Sequence, residues 1–140
     1  MPVSVTKLVD TDTTAIVRVT GFFTAANTSN INLLTANTLR FANASQVCIA
    51  EVEKVEWAAK VNGFVTPVYL STTDNVQVAL VSSGGGQVAG YFPNQAANTT
   101  GDIGLQIYNA AANDSFTLTL TLRKTSGFAN AFAQYNGVGT

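Results

Sequence analysis

The sequence predicts an all-β protein, an antiparallel β-sandwich or jelly roll with a C-terminal arm or short helix. The strongest observation is the segment 116–124, FTLTLTLRK, in which apolar and hydroxyl residues alternate from Phe116 through Leu122. Because Cβ atoms alternate across a strand, this pattern indicates a half-buried antiparallel strand with one apolar face. A second observation is that short β-like runs recur along the chain between clusters of Gly, Asn, Asp and Pro, as in sandwiches and barrels.

Eight short strands are predicted in order. Alternation of Val76, Val78 and Leu80 and of Ile103, Leu105 and Ile107 gives two of them an apolar inner face. The pair Asn62-Gly63 between two runs is a hairpin signal. The predicted strands lie near residues 3–9, 14–22, 46–58, 64–70, 76–81, 87–92, 103–108 and 116–124.

Two segments depart from simple alternation. In residues 46–60 the apolar phase changes, which a β-bulge near residues 50–53 explains; Glu51, Glu53, Lys54 and Glu56 also permit a helix, against which the valines argue. Residues 24–45 are rich in Asn, Ala and Thr. We predict a loop there that contains one edge strand.

The C-terminal segment has a different period. Phe128, Ala131, Phe132 and Tyr135 fall at i, i+3, i+4 and i+7, which is a helical apolar stripe. A helix this short must pack to persist, either over its own sandwich or against a neighbouring subunit. We therefore divide the chain into a β-sandwich domain, residues 1–124, and a C-terminal aromatic arm, residues 125–140.

The composition points to a single, weakly charged domain. The chain has 140 residues, of which 46% are hydrophobic and 11% charged, with a net charge of -1. A typical soluble domain has about 25% charged residues, and here Thr, Ser, Asn and Gln replace them. Such a surface repels neighbours weakly, which favours assembly, although a stable neutral β-protein explains it equally well.

Several classes of partner are not expected. The 7 Lys and Arg residues are scattered, so we predict no nucleic-acid binding. No stretch approaches about 18 unbroken apolar residues, so we predict no membrane partner, and the N-terminus lacks the charged and apolar regions of an export signal.

The chemistry of catalysis is sparse. The chain has no His, which removes imidazole bases and most zinc sites. Residues 82–87, SSGGGQ, lack the Lys of a phosphate loop and are predicted to form a flexible hairpin tip. The lone Cys48, between Val47 and Ile49, is expected to be a small buried hydrophobe. We expect no enzyme, and no catalytic, metal or cofactor-binding residue.

Residues 100–110, TGDIGLQIYNA, and 114–124, DSFTLTLTLRK, together with the opening VSVTKLV and the mid-chain Trp57, resemble a known group. These are small β-sandwich virion structural proteins, capsid decoration or cement proteins, of tailed phages infecting marine bacteria. The chain departs from that group by continuing past Lys124.

The resemblance implies a structural protein that stabilises the phage head by binding between major capsid subunits. It implies a location on the capsid exterior of the virion after assembly in the host cytoplasm. The expected partners are the major capsid protein and the chain itself, as a homo-oligomer, either a trimer or a dimer. The residues expected at protein interfaces are Phe128, Phe132, Tyr135, Val3 and Val5.

Two other functions stay open. A glycan-binding β-sandwich module would present aromatic rings to sugars, although Trp57 lies in an apolar run typical of a core strand. A tail or fibre subunit of the virion is the other. The candidate sugar-binding aromatics are Trp57, Tyr69, Tyr91 and Phe92.

Overall fold

A computed structural model describes residues 3–43 and 45–128 of the chain. These residues form nine β-strands and one short 3-10 helix, Ala36–Thr38. The strands are β1 (Val3–Asp10), β2 (Thr14–Phe22), β3 (Asn27–Leu34), β4 (Ile49–Lys60), β5 (Phe64–Ser71), β6 (Val76–Gln77), β7 (Gly84–Phe92), β8 (Thr99–Ala110) and β9 (Ser115–Ser126).

The strands form two antiparallel sheets packed as a sandwich. Sheet A has the order β1-β2-β9-β4-β7, and sheet B has the order β3-β8-β5-β6. Strands β2 to β9 are distributed between the sheets in the order of a jelly roll, and β1 is added at one edge. The predicted fold class is confirmed.

The core lies between β9 and β4 of sheet A and β8 and β5 of sheet B. The alternating residues of β9 all face it: Phe116 is 3% exposed, and Leu118, Leu120 and Leu122 are fully buried. The inner face of β8 contributes Ile103, Leu105 and Ile107 in the same way. Period-two patterning in the sequence therefore specifies the inner faces of β9 and β8. The strand predicted at 76–81 from the same kind of alternation is wrong in extent, because β6 is only Val76–Gln77 and Leu80 is 61% exposed.

The two irregular segments form strands. Residues 49–60 are β4, and its pairings with both β7 and β9 shift register between Val52 and Lys54, which confirms the predicted bulge. Residues 24–45 contain β3 at the edge of sheet B, as predicted. Cys48 is 2% exposed, as expected of a small buried residue.

The hairpin predicted at Asn62-Gly63 is wrong. It joins β4 of sheet A to β5 of sheet B, so the chain crosses between the sheets here. The Asn62 backbone N–H donates to Asp114 Oδ2 at 2.8 Å. A Cβ on Gly63 would lie 1.9 Å from the Tyr108 carbonyl oxygen, so glycine is needed for close approach to the backbone of β8.

The hairpin tip predicted for residues 82–87 is also wrong. Gly84, Gly85 and Gly86 belong to β7 and pair with Ala59, Ala58 and Trp57 of β4. Pairing with a long neighbouring strand outweighs the poor strand propensity of glycine.

The strand β9 continues to Ser126, past the predicted domain boundary at residue 124. Phe128 follows; it forms an isolated bridge with Ala42 and is 1% exposed. The rest of the predicted aromatic arm, including Phe132 and Tyr135, lies outside the described residues. Within 3–43 and 45–128, no helix has the length and apolarity needed to cross a membrane.

Candidate functional site

The outer face of sheet B carries a shallow groove, called here the sheet B groove. In β8, buried Ile103, Leu105 and Ile107 face the core, so Gln106 and Tyr108 point outward. The groove has a volume of about 510 Å³. Its lining residues come from β3, β8, β5 and β6 and the turn before β6: Asn30, Val68, Asn75, Val76, Gln77 and Gln106.

Four of the six lining side chains are amides. Gln77 Nε2 donates to Gln106 Oε1 at 2.9 Å across β5, and Asn30 pairs with Gln106 in the β3–β8 register. Each amide has two donor hydrogens and an acceptor oxygen. The lining therefore presents neutral donors and acceptors around a short apolar floor made by Val68. Val76 borders the groove, but it pairs with Tyr69 and packs against the core.

An aromatic pair lies beside the groove on the same face. Tyr108 is two residues from Gln106 along β8, a spacing of roughly 7 Å in an extended strand. Its ring stacks on Phe64 of β5, with centroids 5.0 Å apart and an interplanar angle of 21°. Because Phe64 supports one side of the ring and Tyr108 is 50% exposed, a ring face or edge is available to a ligand.

Thr66 lies beneath the amides, opposite Gln106 in the β5–β8 pairing. It is 1% exposed, and its Oγ1 has no hydrogen-bond partner among the described residues. A buried polar group without a partner is destabilising by about 1 to 3 kcal/mol.

We therefore expect Thr66→Val to raise the free energy of unfolding by about 1 kcal/mol, since valine has nearly the same shape without the hydroxyl. Urea unfolding measures this. Thr117→Val, on the exposed face of β9, is the control and should change stability by less than about 0.5 kcal/mol. A destabilised Thr66→Val protein would mean that the hydroxyl does have a partner.

One carboxylate on this face, that of Asp102, already accepts two hydrogen bonds. Asp102 Oδ1 accepts from the Ala36 backbone N–H at 3.0 Å, and Oδ2 accepts from Asn32 Nδ2 at 3.5 Å. Asp102 thus holds the short 3-10 helix against the start of β8, and the groove lining itself is uncharged.

The aromatics predicted for sugar binding do not lie together. Tyr69 is 1% exposed in the core, where its hydroxyl accepts from the Val52 backbone N–H and donates to the Phe92 carbonyl. Burial raises the pKa of Tyr69 to about 12. Trp57 faces inward opposite Gly86 and packs against the core, as its apolar run suggested. Phe92 is half-buried against the same core.

Tyr91 is the exposed member of that set, on the outer face of sheet A. It is 51% exposed, and the Arg123 guanidinium lies 4.7 Å from its ring centroid. The hydrogen bond that Tyr91 donates to Glu51 raises the pKa of its phenol. The ring is held by charged neighbours and lies on the opposite sheet from the groove.

The described residues predicted for protein interfaces occupy different environments. Phe128 belongs to the core of its own domain, and Val3 is 8% exposed on the inner side of β1. Val5 is 38% exposed on the same edge strand. That these residues contact a partner stays a prediction.

The groove residues are not predicted from the sequence. Their signal was present in β8, where Gln106 and Tyr108 alternate with three apolar residues. The sequence does not show which side chains surround that face, because Asn30 and Gln77 reach it through contacts between strands distant in sequence.

No protein-family model matches this sequence, and no curated protein matches it. Among solved structures, the chain is similar to peruvianin-I, a cysteine peptidase from Thevetia peruviana latex, with 10% identity and a TM-score of 0.39. The match covers 90% of this chain, which spans only 64% of peruvianin-I.

Two further similar structures are carbohydrate-binding modules of family 29. A mutant of CBM29-2 has 7% identity and a TM-score of 0.44, with 98% of each chain covered. A second family 29 module has 11% identity and a TM-score of 0.38, with both chains fully covered at 100%. Values this low do not indicate a shared function.

Proposed function

We propose that this protein is a non-catalytic binding module that takes a neutral carbohydrate in the sheet B groove. The observation that carries the proposal is the combination of an uncharged, amide-lined groove with an exposed, supported Tyr108 ring on the same face. Sugar hydroxyls are both donors and acceptors, as amides are, and the C–H faces of a sugar ring pack on an aromatic side chain.

The arrangement also favours an extended ligand over a single small molecule. Groove and ring lie successively along β8, and the groove is shallow, so the ligand contacts the face of the sheet without being enclosed. An oligosaccharide chain running along β8 would place one unit on Tyr108 and another among the amides of Gln106 and Gln77.

The test is binding of the full chain to immobilised neutral oligosaccharides, followed by calorimetry with any that bind. We expect Tyr108→Ala to weaken binding by about 10- to 100-fold, because the ring's buried apolar contact is lost. Tyr91→Ala is a matched control, since Tyr91 is 51% exposed and Tyr108 50%, on opposite sheets. Unchanged affinity in Tyr108→Ala, or no binding to any oligosaccharide, would overturn the proposal.

Capsid decoration is a second candidate, implied by the resemblance of the sequence. The observation that favours it is the outer face of sheet A, where the wet face of β9 carries Thr117, Thr119 and Thr121 and the neighbouring Phe22 is 53% exposed. Jelly rolls occur both in capsid proteins and in lectins, so the fold alone does not choose between the two functions.

Co-sedimentation with phage heads stripped of small proteins tests this second function. Stoichiometric binding at fixed lattice positions would support it. A chain truncated after Phe128 tests the aromatic arm, because Phe128 itself is needed in the core. Capsid occupancy unaffected by the truncation would count against an arm that contacts a neighbouring subunit.

A further inference from the structure

The four strands at the edges of the sheets differ in how they are protected. An edge strand exposes unpaired backbone groups, and proteins block such edges with charges, proline, bulges or short strands. Strand β1 carries Lys7 and Asp10 and shifts register between Lys7 and Val9. Strand β3 shifts register twice, and β6 is only 2 residues long.

Strand β7 lacks most of this protection. It is 9 residues long, eight of them exposed, and contains neither a charged residue nor proline. The register of the β7–β4 pairing shifts only near the C-terminal end of β7, so residues 84–89 pair regularly with β4. Among the described residues, no strand pairs with the outer edge of β7.

We propose that β7 pairs antiparallel with the β7 of a second copy of this chain and so continues sheet A across a two-fold axis. Charge and symmetry indicate that the partner at this edge is a second copy of the chain. No charged residue occurs between Asp74 and Asp102, so the edge does not repel its own copy and offers nothing to a charged partner. An antiparallel pair of identical strands is self-complementary, as a two-fold interface requires.

Exposed apolar side chains near this edge fit the same interface. Val88 lies on the inner side of β7 opposite Val55 and is 39% exposed, and Leu80, shortly before β7 in the chain, is 61% exposed. Pairing of two edges would bring the two Val88 side chains to the junction, where both can be removed from water. This interface does not depend on what the sheet B groove binds.

The test is sedimentation velocity of the full chain over a concentration series, comparing Val88→Lys with Val5→Lys. The two positions match: both are inner-facing valines on edge strands of sheet A, 39% and 38% exposed. We expect a wild-type dimer, and we expect Val88→Lys to raise its dissociation constant by at least about 10-fold through like charges at the junction. If β7 forms the interface, and not the β1 edge where the sequence placed Val5, then Val5→Lys should leave the constant unchanged.

A monomeric wild-type protein, or a Val88→Lys protein that associates like wild type, would overturn the proposal. Loss of association in Val5→Lys alone would move the interface to β1. Circular dichroism confirms that each variant is folded. If Val88→Lys does not fold, Gln87→Lys replaces it, because Gln87 is exposed on β7 and its substitution disturbs no packing. The same increase in the dissociation constant is expected.

Discussion

Replacing Asp10 with alanine should lower the free energy of unfolding by about 3 to 5 kcal/mol at neutral pH, because it leaves a buried ammonium group without its counter-charge. The Lys124 side chain is 0% exposed, and its Nζ lies 2.6 Å from Asp10 Oδ1. Nζ also donates to the carbonyls of Thr11 and Arg40, so its three donors have three acceptors. Lys124 Nζ also lies 5.2 Å from the centroid of the Phe128 ring.

The same carboxylate provides a control. Lys7 Nζ is 3.7 Å from Asp10 Oδ2, but the Lys7 side chain is 44% exposed. An exposed ion pair contributes about 0 to 1 kcal/mol, so Lys7→Ala should change stability little. Urea unfolding of both variants measures the difference. Similar small losses in Asp10→Ala and Lys7→Ala would show that the Lys124 ammonium is not buried as described.

The contribution of Asp10 also depends on pH. Burial acts to raise the pKa of Asp10, but the hydrogen bonds from Lys124 and the Arg40 backbone and the charges of Lys124 and Lys7 outweigh it and lower the pKa. A lowered folded-state pKa stabilises the protein above the unfolded-state pKa of about 3.9, and this part is lost as pH falls through the folded value. In Asp10→Asn, this acid-dependent part of the stability curve should be missing.

The burial of this ion pair could not be predicted from the sequence. In the sequence, Lys124 follows Arg123 at the end of the alternating segment 116–124, where a lysine is ordinarily solvated. Its partners Asp10 and Arg40 are 114 and 84 residues away in the chain. The pairings of β1 with β2 and of β2 with β9, and the loop after the 3-10 helix, bring them together, so no local pattern predicts the burial.

The strands themselves follow from local patterns wherever alternation is clean. Strands β2 and β9 were predicted closely because each has an uninterrupted apolar face. Strand β3 was anticipated only as an edge strand in a loop, because register shifts near Asn27 and Asn32 break its period and most of its residues are polar. The glycine-rich start of β7 was missed because its pairing with β4 is tertiary and its own residues have low strand propensity.

For the sheet B groove, the sequence shows which residues share a face of β8 but not which strands lie beside it. The alternation in β8 places Gln106 and Tyr108 on one face. That Gln77 meets Gln106, and that Phe64 supports Tyr108, depends on which strands are neighbours in sheet B. The jelly-roll order places β8 between β3 and β5, and turn signals such as Asn62-Gly63 pointed instead to a simple hairpin.

The segment around Cys48 depends on glycine at two positions. A Cβ on Gly101 would lie 1.9 Å from the Cys48 carbonyl oxygen, and one on Gly127 would lie 2.8 Å from the Cys48 Cα. The backbone at Cys48 therefore passes close to both β8 and the end of β9, and the Cys48 thiol donates to the Gly127 carbonyl at 3.3 Å. Gly101 and Gly127 also have positive φ, 81° and 82°.

Gly101→Ala should therefore lower the free energy of unfolding by about 4 kcal/mol or more, since it combines backbone strain with a clash against a carbonyl that only movement of the backbone relieves. Gly84→Ala separates the two effects. Gly84 has φ 122°, and a Cβ there meets nothing within 4 Å. That variant should show the strain alone, about 1 to 3 kcal/mol.

Chemical denaturation of the two alanine variants gives the comparison directly. An equal loss of unfolding free energy in both variants would mean that positive φ alone requires glycine. The Cys48 carbonyl would then not be in close contact with β8. A larger loss in Gly101→Ala would show that the close approach itself is structural. Because Asp102 follows Gly101 and holds the short 3-10 helix through Ala36, relief of the clash should also disturb the edge of sheet B. Glycine at 101 thus permits the segment before β4 to pack on β8 while β8 keeps the register that forms the groove.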